Sequence, residues 1–113
     1  MLLDHAPSMF FFKDLENRYI RVNKAFADFM GLSKKEIEGK SAFNFYPKEQ
    51  AENFWALDKE VIETRVTKKN FTEVVDVKNR THWLQIEKAP YIDAHNNVIG
   101  IVCFATDITD NMH

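Results

Sequence analysis

If this chain performed chemistry, few side chains could supply it. The histidines are His5, His82, His95 and His113, and Cys103 is the one cysteine. The histidines fall in what reads as a helix tail, a hairpin, a turn and the terminus, so their spacing assembles no metal set. A lone cysteine supports neither an internal disulfide nor a cysteine-rich metal site. Glu36 with Glu38, and Glu60 with Glu63, belong to solvated helix faces. Gly31, Gly39 and Gly100 stand apart, so no glycine-rich loop is available to hold a phosphate. A nucleophile beside a base is equally missing, so no catalytic residue is assigned and the chain is read as non-enzymatic. The polar chemistry that remains is two charges in an apolar pattern. The alternation that turns Leu84 and Ile86 inward also turns Glu73 and Lys88 inward. An unpaired buried charge is costly, so these two are expected to pair, to contact a polar ligand or to escape through a bulge, and a place near a pocket mouth is expected.

Composition bounds the setting. The 113 residues suit one domain with one core, and an apolar fraction of 45% with ten phenylalanines supplies that core well. The net charge of −2 is spread without a basic block, which argues against nucleic acid and against an anionic membrane surface. No apolar run reaches the ~20 residues that span a bilayer, and no signal peptide opens the chain. The expectation is a cytoplasmic piece of a longer protein, with no membrane contact by this segment.

The elements that must position these residues follow from periodicity. Residues 1–7 read as the tail of a helix ended by Pro7. Ser8 to Lys13 and Tyr19 to Val22 read as two strands joined by the polar turn Asp14 to Arg18. Asn23 is a good N-cap for a helix over Lys24 to Met30, stopped by Gly31. Ser33 with Glu36 forms a capping box for a second short helix closed by Gly39. After an irregular stretch, Pro47 opens the longest helix, Lys48 to about Val66, with an apolar stripe of Ala51, Phe54, Trp55, Leu57, Val61 and Ile62. From Asn70 the period becomes two. Phe71 to Val77 and His82 to Tyr91 form a hairpin; a two-residue Asn79-Arg80 loop would pair Val77 with His82, Val75 with Leu84 and Glu73 with Ile86. Asp93 to Asn96 turns into a last strand from Val98, apolar at both parities and therefore covered on both faces. Two β blocks separated by helices predict an α+β domain, one antiparallel sheet with the helices on one face.

In order and spacing, these pieces resemble a PAS domain over nearly the whole chain. The carrying residues are Val22-Asn23-Lys24-Ala25-Phe26, Met30-Gly31-Leu32-Ser33, Ile37-Glu38-Gly39-Lys40, Trp83-Leu84 through Lys88-Ala89-Pro90, and Asp107-Ile108-Thr109. The resemblance implies a five-stranded sheet of order 2-1-5-4-3 and a sensory role in a bacterial signalling protein. It also implies that residues 107–113 begin a linker to a covalently attached output domain, such as a GGDEF diguanylate cyclase or a histidine kinase. Asp107 and Thr109 would be the signal-relay positions; Asp107 could equally cap the following helix, and one role does not exclude the other.

PAS relatives differ in what they hold. Haem-binding members use a histidine of the long helix, which here contains none. Flavin light sensors carry a reactive cysteine in an Asn-Cys-Arg context near the start of that helix, where this chain has Ser41-Ala42-Phe43-Asn44-Phe45. They also place a glutamine on the last strand where this chain has Ala105. Haem by that route and covalent flavin are disfavoured. The candidate pocket is lined by Phe26, Phe29, Phe43, Phe54, Leu57 and Val61 from the helices. Facing them from the sheet are Phe71, Val75, Leu84, Ile86, Lys88, Ile99, Ile101, Cys103 and Ala105. Small Cys103 and Ala105 at the centre leave room for a modest organic ligand. Trp83, Val102 and Phe104 occupy the other face, where exposure would leave a large apolar patch, so a homodimer through that face is expected. Two functions follow: a sensor that binds a small molecule, dimerises or both and relays that state, or a ligand-free interaction and dimerisation module with a filled core.

Overall fold

The computed structural model describes residues 8–111. The expected N-terminal helix tail over residues 1–7 lies outside the described residues. The chain forms β1 (Met9–Asp14), β2 (Tyr19–Val22), α1 (Lys24–Met30), α2 (Lys34–Ile37), α3 (Lys48–Thr64), β3 (Lys68–Val77), β4 (Arg80–Ile92) and β5 (Val98–Asp107), with 3-10 turns at Ala42–Asn44 and Thr109–Asn111. The strands make one antiparallel sheet of order β2-β1-β5-β4-β3. The most apolar strand, β5, is therefore central and paired on both edges, by β1 and β4. Only its inner face is covered as expected, since Phe104 and Ile99 on its outer face are exposed.

Local chemistry accounts for the short elements. The Asn23 side-chain oxygen accepts from the amides of Phe26 and Phe10, and its amide group donates to the Ser8 carbonyl, so one residue caps α1 and ties it to β1. Gly31 ends α1 at φ 72°, a left-handed conformation that favours glycine. Ser33 and Glu36 make the reciprocal capping box of α2. α3 ends at Thr64, two residues short of Val66, because Arg65 turns left-handed at φ 59°. Across the open edge of β2, the Tyr19 amide donates to the Lys40 carbonyl and the Gly39 amide to that of Tyr19. This covers an edge that would otherwise invite pairing.

Two registers differ from expectation. The hairpin loop is Lys78-Asn79, not Asn79-Arg80, with both residues at positive φ as a primed turn requires. Val77 pairs with Arg80, Val75 with His82 and Glu73 with Leu84. Each pairing has slipped by two residues, so every side chain keeps its expected face. The second difference changes a face. Tyr91 pairs with Gly100 but Ile92 with Val98, which makes Ile99 the extra residue of a bulge and sends its side chain to the outer face. At Gly100 the strands approach so closely that a Cβ would stand 2.2 Å from the Lys13 carbonyl oxygen.

The main apolar cluster lies between the helices and the inner sheet face. It joins Met9, Tyr19, Val22, Phe26, Met30 and Ile37 to Val75, Leu84, Ile86, Cys103 and Ala105.

Candidate functional site

Beside this apolar cluster four ionisable side chains converge. Lys13 ends the inward parity Met9, Phe11, Lys13 of β1; Lys88 continues Leu84 and Ile86 on β4; Glu73 precedes Val75 on β3. Asp58 comes from α3, where Ala51, Asp58 and Val61 are the buried positions. Asp58 bridges the two lysines, with Lys13 Nζ donating to Oδ2 at 2.6 Å and Lys88 Nζ to Oδ1 at 2.8 Å. Glu73 stands 3.7 Å from Lys88. Lys13, Asp58 and Lys88 are only 2%, 1% and 3% exposed. Lys88 therefore lies deep in the interior and not at a pocket mouth.

The surroundings set the protonation of each group. Burial disfavours the Asp58 carboxylate, but the charges of Lys88 and Lys13 outweigh it and hold Asp58 below the ordinary range. Burial likewise disfavours charged Lys88, yet Asp58 and Glu73 together push its pKa up. Lys13 goes the other way: burial dominates, only Asp58 offsets it strongly, and Lys88 repels it, so its pKa is lowered. Burial raises Glu73 despite the nearby Lys88. Burial also pushes the Cys103 thiol up to about 12, so it stays protonated and weakly nucleophilic.

These side chains border a cavity of about 40 Å³. Its apolar wall includes the expected Phe26, Phe54, Val75, Leu84, Ile86, Cys103 and Ala105, with Lys88 as a polar wall residue. Glu73, expected beside the pocket with Lys88, also lines it, as do Met9, Phe11, Lys13, Tyr19, Ala42, Tyr46 and Asp58, which were not expected there. Asp58 was legible as a carboxylate within the apolar spacing Ala51, Phe54, Asp58, Val61, and Lys13 by its β1 parity.

Several expected wall residues lie elsewhere. Phe29 turns its ring edge onto His82, with centroids 4.9 Å apart. Phe43 is exposed, because the 3-10 turn capped by Ser41 directs Ala42 inward instead. Leu57 and Phe71 are half-buried on the flank of α3 and on the edge strand β3. Val61, one helical turn past Asp58, and Ile101, the register partner of Lys13, are buried outside the main apolar cluster. Ile99 is displaced to the outer face by its bulge.

The PAS fold family matches residues 3–112. The chain belongs to the PAS family. Among solved structures, this PAS domain is similar to VqmA of Vibrio cholerae in a complex with ligand and DNA. The TM-score is 0.83 at 26% identity, covering 96% of this chain and 50% of that one. VqmA bound to DPO gives 0.81 at 24% identity, with coverages of 94% and 55%. A sensory box sensor histidine kinase of Vibrio cholerae gives 0.76 at 14%, with 96% and 87%; at that identity the likeness shows the fold alone. The chain spans about half the length of these VqmA chains. No curated protein matches it.

At the end of β5 the PAS domain has a second polar constellation. His82 Nδ1 lies 2.8 Å from Asp107 Oδ2. The other oxygen, Oδ1, accepts from the Thr109 amide and hydroxyl, so Asp107 does cap the turn that follows. The Thr109 hydroxyl oxygen accepts from the Trp83 amide, and the Ile108 amide donates to the Trp83 carbonyl. Burial raises the Asp107 pKa, but the Thr109 hydrogen bonds and His82 overcome it and hold the carboxyl below its ordinary range.

The outer face of the PAS sheet is apolar and open. Trp83 and Phe104 are exposed, and Phe104 packs against Phe10 with centroids 5.2 Å apart. Beside them a groove of about 310 Å³ is lined by Phe10, Phe12, Arg21, Tyr91, Ile99 and Val102. Among the described residues, no helix is long and apolar enough to cross a membrane.

Proposed function

We propose that this PAS domain is a cytoplasmic sensory module that takes a small molecule into the inner cavity and relays occupancy to a covalently linked output domain. The observation that carries the reading is the buried Lys13–Asp58–Lys88 bridge on the wall of an otherwise apolar cavity. A core built only for stability is served as well or better by apolar residues in such a place. The ligand in the VqmA–ligand–DNA complex, at 26% identity, supports a sensory use of the same fold. The relay runs through α1: Phe26 borders the cavity, Phe29 on the same helix touches His82, and His82 holds Asp107 where the chain leaves the sheet. The DNA in that VqmA complex adds a DNA-binding segment to the diguanylate cyclase and histidine kinase as output candidates. The domain itself remains read as making no nucleic-acid contact, and its outer face as the homodimer interface.

The ligand-free module has one observation in its favour. A cavity of about 40 Å³ holds a few waters and falls well short of the ~150 Å³ apolar cavity that takes benzene. Native mass spectrometry of freshly purified protein, followed by denaturation and identification of released small molecules, separates the two. A stoichiometric adduct lost on unfolding is the expected result. A bare dimer with nothing released supports the filled-core module instead.

A further inference from the structure

The hydrogen-bonding capacity of the charge cluster is only partly used. An ammonium has three N–H donors, yet Lys13 reaches one hydrogen-bond acceptor among the described residues, Asp58. The rings of Tyr19 and Trp55 lie 5.5 and 5.7 Å from its Nζ, and Lys88, which shares Asp58 with it, offers no acceptor. Glu73 accepts no hydrogen bond within 3.5 Å among the described residues, since Lys88 stands at 3.7 Å, too far for a direct bond. Both groups border the same cavity. An open donor and an open acceptor therefore face one small space.

The charge of the cluster restricts what can satisfy them. Two lysines and two carboxylates sum to zero, and a proton passed from Lys13 to Glu73 leaves the sum at zero. A charged ligand would bring an uncompensated charge into a low-dielectric site. An apolar ligand would leave Lys13 and Glu73 as they are, and a ketone would serve only Lys13.

Building on the sensory reading above, we infer that the cavity is selective for a compact neutral ligand with a hydrogen-bond acceptor beside a donor, as on the edge of an amide or lactam. The acceptor meets Lys13 and the donor meets Glu73.

Four planar probes of equal heavy-atom count test this: acetamide, acetone, acetate and acetamidinium. Each is titrated into the protein and followed by methyl NMR shifts of Leu84, Ile86 and Ala105 on the cavity wall. Acetamide is expected to bind about tenfold or more tightly than the other three. Glu73→Gln gives the cluster a positive charge and should move the preference to acetate; Lys13→Met gives it a negative charge and should move it to acetamidinium. A merely structural cluster would not switch preference in this way. Glu73→Gln keeps the side-chain shape and the lysine–aspartate bridge, so it carries the test even if Lys13→Met does not fold. Equal binding of all four probes, a wild-type preference for an ion, or no shift at the wall methyls overturns the inference. The sensory reading stands or falls separately: an ionic molecule released in the mass-spectrometric experiment would keep the sensor and remove this ligand class.

Discussion

On the helix-covered face of the sheet, Lys13, Lys88 and Glu73 lie among aromatic and aliphatic side chains. On the opposite face Trp83, Phe104, Ile99 and Tyr91 stand exposed, with Arg21 the only charge lining the groove among the described residues. Each face inverts the common distribution, and buried charge and exposed apolar area are the informative deviations. The two deviations differ in kind. The buried charges are compensated within the chain, through Asp58, and keep unused bonding capacity suited to a small polar guest. The exposed apolar area has no compensation within the described residues and suits a large apolar partner. Under the proposed function the same strands would present a small-molecule surface on one side and a protein surface on the other, with β5 common to both.

The contrast can be broken most severely at Asp58. Asp58→Ala leaves two buried ammoniums facing each other and should lower the unfolding free energy by about 3–5 kcal/mol, read from urea denaturation. A loss below about 1 kcal/mol would show that water reaches the cluster and that the inner face is not a low-dielectric site.

A change on the outer face should act on assembly and hardly on folding. Phe104→Glu is expected to convert a dimer into a monomer in sedimentation velocity, while folding stability shifts by no more than about 0.5 kcal/mol. Persistence of the dimer would place the interface elsewhere.

The smallest effect sharpens the inner face by pH. Asp58 has a folded pKa below its ordinary 3.8, so its contribution is present above 3.8 and is lost as pH falls through the folded value. Glu73 has a folded pKa above its ordinary 4.5, so between 4.5 and the raised value the folded state binds the extra proton and stability falls as pH rises. Glu73→Gln should remove that decline from a denaturation series between pH 4 and pH 8. An unchanged slope in the variant would mean that Glu73 is as well solvated folded as unfolded.

Much of this arrangement was legible in the sequence. Asn23, Gly31 and the Ser33–Glu36 box mark their helix ends because caps are local bonds between near neighbours. The faces of Leu84, Ile86, Cys103 and Ala105 follow from alternation, which survived even a two-residue slip of the β3–β4 hairpin. The order and spacing of the short motifs from Val22-Asn23 to Asp107-Ile108-Thr109 brought the PAS resemblance into view.

What only the tertiary structure decided is which inward residues meet. Alternation placed Lys88 and Glu73 inside but could not say that Asp58, a full helix away in sequence, would stand between Lys88 and Lys13. The bulge at Ile99 reversed one face, and the slimness of the cavity depends on how Phe11, Tyr46 and Phe54 fill it. Periodicity is a property of a few consecutive residues. Register, bulges and residual volume arise only when strands distant in sequence are paired and a helix is packed across them.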